Sequence, residues 1–147
     1  MNQKISETII EISVSVKASP EEIWQVLTDP DELENWWGDG VRLEPKVGGV
    51  FSEPWEDDKG TRQMASGQVK SIKKKQEISF TWKEKLWPSE AQTICTITIE
   101  EKKMIRLIHL KHIGWETLPA EIRAKTLKDF KVGWNYHLKE LQAYLDE

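Results

Sequence analysis

The sequence predicts an α+β fold: a curved, seven-stranded antiparallel sheet with two short helices after the first strand and a long C-terminal helix across the concave face. Three observations carry this reading. Ile10, Ile12, Val14 and Val16 alternate with the polar Glu11, Ser13, Ser15 and Lys17, which is the period of a half-buried strand. Two helix starts follow one another, Ser19-Pro20-Glu21-Glu22 and Asp29-Pro30-Asp31-Glu32, each pairing a capping side chain with proline at the first helical position. Finally, Leu127, Phe130, Trp134, Leu138, Leu141 and Leu145 step by 3, 4, 4, 3 and 4 residues, close to 3.6 per turn.

The first short helix starts at residue 20 and buries Ile23, Trp24 and Leu27. The second carries Leu33, Trp36 and Trp37 and stops at Gly38, with one of the two tryptophans expected to turn inward and the other to lie on the surface. Strand-sized segments follow at about 41–45, 49–55, 62–72, 77–85, 92–101 and 104–113. Short turns separate them, among them Gly48-Gly49, Lys59-Gly60 and Lys73-Lys74-Lys75, and connections this short favour antiparallel hairpins. Ile78, Phe80 and Trp82 share one face of their strand, as do Thr93, Cys95, Ile97 and Ile99 of the next. In the last strand Ile108 and Leu110 face one way and Ile105 and Leu107 the other, so the outer face leaves room for a weak homodimer beside a monomeric state. A helix over about 120–145 is roughly 37 Å long, enough to cross such a sheet.

Composition narrows the function classes. The 147 residues, 31% of them charged, suit one domain over 1–147. The lone Cys95 excludes an internal disulfide, and no apolar run approaches the ~20 residues that span a bilayer, so no membrane insertion is expected. Residues 1–7 lack the apolar core and cleavage site of a signal peptide, and the expected location is cytoplasmic. With 25 acidic and 21 basic residues, nucleic acid is a poor partner, and Lys70 with Lys73-Lys74-Lys75 reads as a solvated turn. No serine elbow, phosphate-cradling glycine loop or dinucleotide fingerprint is present, so no cofactor is expected.

The eight tryptophans are the unusual feature, and they imply a heavy aromatic core or an aromatic-lined pocket. Trp37, Phe51, Trp55, Phe80, Trp82 and Trp134 are the candidate walls of such a pocket, the alternative being that they fill the interior completely. Glu53 shares its parity with Phe51 and Trp55. It is a candidate acid or anchor for a cationic ligand if desolvated, and otherwise an arginine partner or a solvated edge residue. His112 lies in phase with Ile108 and Leu110, so it turns inward either to bond core groups or to offer a ligand a polar contact. His109 and His112 stand three apart on a strand, on opposite faces, so no metal site is expected from them. Cys95 sits among isoleucines and reads as inert core. The acidic pairs in turns read as solvated, Glu116 is a weaker candidate, and Trp87 beside Pro88 would mark a partner contact if exposed at its loop tip.

Four local features recur in one known family: Ala18-Ser19-Pro20-Glu21-Glu22-Ile23-Trp24 leading to Trp36-Trp37; Val47-Gly48-Gly49-Val50-Phe51; Leu110-Lys111-His112-Ile113-Gly114-Trp115; and Gly133-Trp134 with Leu138, Leu141 and Leu145. In this order the chain resembles the START-like, helix-grip (SRPBCC) superfamily, and within it the activator of heat-shock-protein-90 ATPase homologue family. The resemblance implies a sheet gripping the terminal helix around an apolar cavity. It makes non-enzymatic binding of a small, largely apolar ligand the leading expectation. Two alternatives accompany it: a co-chaperone with a heat-shock-protein-90 partner in the stress response, and a polyketide cyclase-like enzyme with a cavity histidine as base.

Overall fold

The computed structural model describes residues 8–146; residues 1–7, which carry the signal-peptide reading, and residue 147 lie outside it. The strands are β1 (Ile10–Val16), β2 (Arg42–Leu43), β3 (Val50–Glu56), β4 (Arg62–Lys73), β5 (Glu77–Glu84), β6 (Thr93–Glu101) and β7 (Arg106–Ile113). The helices are α1 (Pro20–Thr28), α2 (Pro30–Trp36) and α3 (Ala120–Leu145), with a 3₁₀ turn at Trp115–Thr117. All seven strands form one antiparallel sheet in the order β1-β7-β6-β5-β4-β3-β2. This is the helix-grip architecture the sequence implied.

The first two strands lie on opposite edges of that sheet, so the chain must cross its whole width between them. The two short helices make the crossing. Ser19 Oγ accepts the Glu22 N–H at 3.2 Å while Glu22 reaches back to the Ser19 N–H, closing a capping box. Asp29 ends α1 and caps α2, its carboxylate accepting the Asp31 N–H at 2.9 Å, so the chain turns with no loop between helices.

Two strands are shorter than their apolar patterns: β2 keeps only Arg42–Leu43, and β7 begins at Arg106. The β4–β5 ladder is interrupted where Gly67 passes Thr81. A Cβ at Gly67 would stand 1.8 Å from the Thr81 carbonyl oxygen, and the Thr81 hydroxyl accepts the Gln68 N–H in place of a ladder bond.

Helix α3 buries Leu127, Trp134, Leu138 and Leu141 against the sheet, with Phe130 and Leu145 partly buried alongside. Both of its ends are tied down. Near the start, the Arg123 guanidinium donates to the carbonyls of Leu118 at 2.8 Å and Glu116 at 3.2 Å. Near the finish, the Gln142 amide donates to the Ser15 carbonyl at 2.8 Å, and the Tyr144 hydroxyl donates to Glu32 and accepts from Asn35.

One expectation about tryptophans is corrected, and one condition is not met. Trp36 and Trp37 are both buried, because α2 is covered on two sides: Trp36 donates to the Val26 carbonyl at 2.9 Å, and Trp37 turns under α3 with its ring 5.2 Å from that of Trp134. Trp87 is also buried, because its loop folds back so that the indole meets Trp115 edge-on at 6.1 Å and lies 6.2 Å from Phe130. No helix among the described residues is long and apolar enough to cross a membrane.

Trp134 is 2% exposed at the middle of the α3 stripe. Trp134→Ala is expected to cost ~3–5 kcal/mol and to lower the melting temperature by roughly 6 °C or more in a chain of this size. A melting temperature within a degree or two of the parent, read by circular dichroism, contradicts this packing role.

Candidate functional site

The β-register builds the site's polar centre. Glu53 on β3 lies opposite Ala65 on β4, and Ala65 lies opposite Glu84 on β5, so two carboxyl side chains flank one buried methyl across three adjacent strands. Two strand spacings put their Cα atoms roughly 10 Å apart. Three indoles converge on this pair. Trp37 Nε1 donates to Glu53 Oε2 at 2.8 Å, Trp82 Nε1 to Glu84 Oε2 at 2.8 Å, and Trp55 Nε1 to Glu84 Oε1 at 3.0 Å.

A cavity of about 440 Å³ opens beside the pair, between this end of the sheet and the middle of α3. Trp37, Glu53, Trp55, Trp82 and Trp134, all expected from the sequence, line it. Phe51, Phe80 and His112 do not. Phe51 and Phe80 face inward as their parity requires, but the indoles cover them: Phe51 lies 5.9 Å from Trp37 and 4.6 Å from Trp82, and both phenyl rings are fully buried.

His112 is fully buried and both of its ring nitrogens are engaged by the protein. Trp134 Nε1 stands 3.0 Å from His112 Nδ1, and an indole N–H only donates, so Nδ1 accepts and Nε2 carries the proton. That proton faces Thr93 Oγ1 at 2.7 Å. Burial pushes the ring pKa down to about 3, which keeps it neutral. His112 therefore positions Trp134 from behind the wall, and no nitrogen is left to orient a ligand.

Sequence reasoning missed several lining residues, including Glu84, Phe130, Gly133 and His137. Glu84 was within reach, since it continues the inward parity of Ile78, Phe80 and Trp82. His137 and Phe130 were too, standing three residues after and four before Trp134 on one helix face. The His137 ring sits 6.1 Å from Trp134 and 6.4 Å from Trp37, its Nδ1 is buried with no partner among the described residues, and burial holds its pKa below the ordinary value.

The electrostatics are one-sided. Desolvation raises the Glu53 pKa to about 7, with the nearby Glu84 charge adding to the rise and the Trp37 N–H opposing it. Glu84 is raised by burial, against the N–H groups of Trp82 and Trp55. No lysine or arginine among the described residues lines the cavity, so the arginine partner considered for Glu53 is not found in the described walls. Elsewhere, His109 points outward to Glu11 at 3.2 Å, and burial raises the Cys95 thiol well above its usual range. Glu116 is exposed, and no cluster among the described residues gathers three candidate metal ligands.

His112 and Glu53 act on opposite sides of the pH–stability curve. The folded His112 refuses a proton that the unfolded chain accepts below its ordinary pKa of 6.5, so its contribution is complete above that value and drains as pH falls toward 3. The folded Glu53 keeps a proton that the unfolded chain releases above 4.5, so its contribution is complete below that value and is lost as pH rises through 7. Glu53→Gln, whose amide oxygen still accepts the Trp37 N–H, is expected to flatten the decline between pH 5 and 8. Urea unfolding across this range checks it, and curves that run parallel to the parent refute the assignment.

A family model described as "Activator of Hsp90 ATPase homolog 1-like protein" matches residues 17–146. No curated protein matches the sequence significantly. Among solved structures, protein CV1439 from Chromobacterium violaceum is 19% identical with a TM-score of 0.77, over 95% of this chain and 98% of that one. The Aha1 dimer from Colwellia psychrerythraea is 20% identical with a TM-score of 0.71, over 94% and 96%. CalU16 from Micromonospora echinospora is 22% identical with a TM-score of 0.65, over 93% and 75%. These structural likenesses establish the shared fold. The family match spans most of the sequence, and the chain belongs to the family of Activator of Hsp90 ATPase homolog 1-like proteins.

Proposed function

We propose that this protein is a non-enzymatic binding module that holds a small, largely apolar molecule in the cavity between the sheet and α3. The observation that carries the reading is Gly133. It stands at the centre of a 26-residue helix, where glycine costs roughly 0.5–1 kcal/mol relative to alanine. Gly133 lines the cavity, and a Cβ built on it meets no atom within 4 Å. The helix thus carries a less stable residue at the point where any side chain would begin to fill the void. Aromatic walls supply affinity through buried apolar area, and a few polar groups supply orientation, the usual division of labour in such sites.

The cyclase-like alternative assigned its base to His112, whose nitrogens are both committed to protein partners. The co-chaperone alternative rests on the name of the family and on no residue of this chain. Both are weaker readings than ligand binding.

Thermal shift and intrinsic tryptophan fluorescence against fatty acids, sterols, aromatic polyketides and apolar amines test the proposal. At least one class is expected to raise the melting temperature and change the emission. Gly133→Leu is expected to raise the ligand-free stability by roughly 0.5–1 kcal/mol through helix propensity while abolishing the ligand shift. A parent protein that responds to no class, or a Gly133→Leu variant that binds as the parent does, overturns it.

A further inference from the structure

The two carboxyl groups in the cavity are not equivalent. Glu84 has each oxygen engaged by an indole N–H, from Trp55 and from Trp82. Glu53 has only Oε2 engaged, by Trp37; no described residue donates to its Oε1. The fully buried unpartnered atom of the wall is His137 Nδ1, whereas Glu53 is only half-buried, so its Oε1 is open to a donor that enters the cavity. The other titratable groups facing it are Glu84 from β5 and His137 and Asp129 from α3. Asp129 is already paired with Lys125 at 2.8 Å, and His137 is disfavoured as a cation by burial. Among the described residues the cavity wall therefore holds two carboxyl groups, no lysine or arginine, and at Glu53 Oε1 an acceptor with no protein donor.

Resting on the ligand-binding reading above, we propose that the occupant is an organic cation: a protonated amine on an apolar body, donating N–H to Glu53 Oε1 while Trp37, Trp82 and Trp134 surround the rest. Three chemical facts separate this class from its neighbours. An ammonium supplies both a donor and a positive charge, and aromatic rings within ~6 Å attract it further. An alcohol supplies the donor alone. A carboxylate supplies neither, and it is repelled by Glu53 and Glu84 to the extent that they are ionised, a repulsion that grows as pH rises through 7.

A proton linkage follows. The empty cavity favours protonated Glu53 near neutral pH, whereas a bound ammonium favours the carboxylate. Binding is then accompanied by proton release around pH 7, and affinity rises as the pH is raised from 6 to 8, a range over which an alkylammonium keeps its charge.

Octylamine, octanol and octanoate share one chain and differ in the head group, so they serve as probes against the full-length protein. Titration by tryptophan fluorescence and calorimetry is expected to show octylammonium binding at least tenfold more tightly than octanol and more tightly still than octanoate. Calorimetry in buffers of different ionisation enthalpy is expected to register proton release at pH 7. Glu53→Gln should narrow the ammonium-to-octanol ratio to less than about threefold and remove the proton release. If that variant does not fold, the pH 6 to 8 affinity ratio and the proton release of the parent decide the matter. Octanol or octanoate binding as tightly as octylammonium overturns the cationic assignment and leaves the apolar-ligand reading standing. No binding by any probe, or equal binding to Gly133→Leu, overturns both.

Discussion

Burying an indole means burying its N–H, and a protein that buries so many must supply acceptors inside. Six of the eight tryptophans here donate to an identified acceptor: the carbonyls of Val26 and His112, the carboxyls of Glu53 and Glu84, and the His112 ring. The backbone provides only two of these bonds. The strands and helices that carry Trp37, Trp55, Trp82 and Trp134 have already used their own polar groups in ladders and turns. Acidic side chains and a neutral imidazole fill the deficit, which explains why ionisable residues stand in the most apolar part of the molecule. The polar character of the cavity is a consequence of its aromatic walls.

The same demand couples distant elements. Trp37 comes from the end of α2, Glu53 from β3, Glu84 from β5, and His112 and Trp134 from β7 and α3, so each N–H bond fixes a relation between segments far apart in sequence. Hydrophobic area alone is indifferent to ring orientation. These bonds choose the rotamer of each indole, and the void beside them persists because the rings are held away from it.

Element types and order were legible because each rests on local rules: alternation in β1, proline and capping side chains in α1 and α2, a 3.6-residue stripe in α3. The aromatic inward faces were legible as well. What parity cannot express is depth. Phe51, Phe80 and His112 point the right way yet stand one layer behind the wall, because Trp37 and Trp82 reach over them. Trp36 and Trp37 were expected to divide between interior and surface, and the exposure of Trp87 was left open, since nothing in their neighbourhoods records which other segment will cover them. Glu84 was passed over because an acid at a strand end normally meets water; its position beside Ala65 and Glu53 is fixed by register across two hairpins, which no single-strand pattern contains.

Helix α3 is fastened at Arg123 and again at Gln142 and Tyr144, and it spans the hollow between these points like a beam resting on two piers. Such a beam has no reason to lift. The doorway is on the flank, where Leu86 is 79% exposed and Trp55 39% exposed at the rim. Passage of a guest through it would need only side-chain swivelling, on the nanosecond scale of exposed rotamers, with the backbone staying closed throughout. A guest held here would come and go at rates set by how well it fits, with no slow gate to open first.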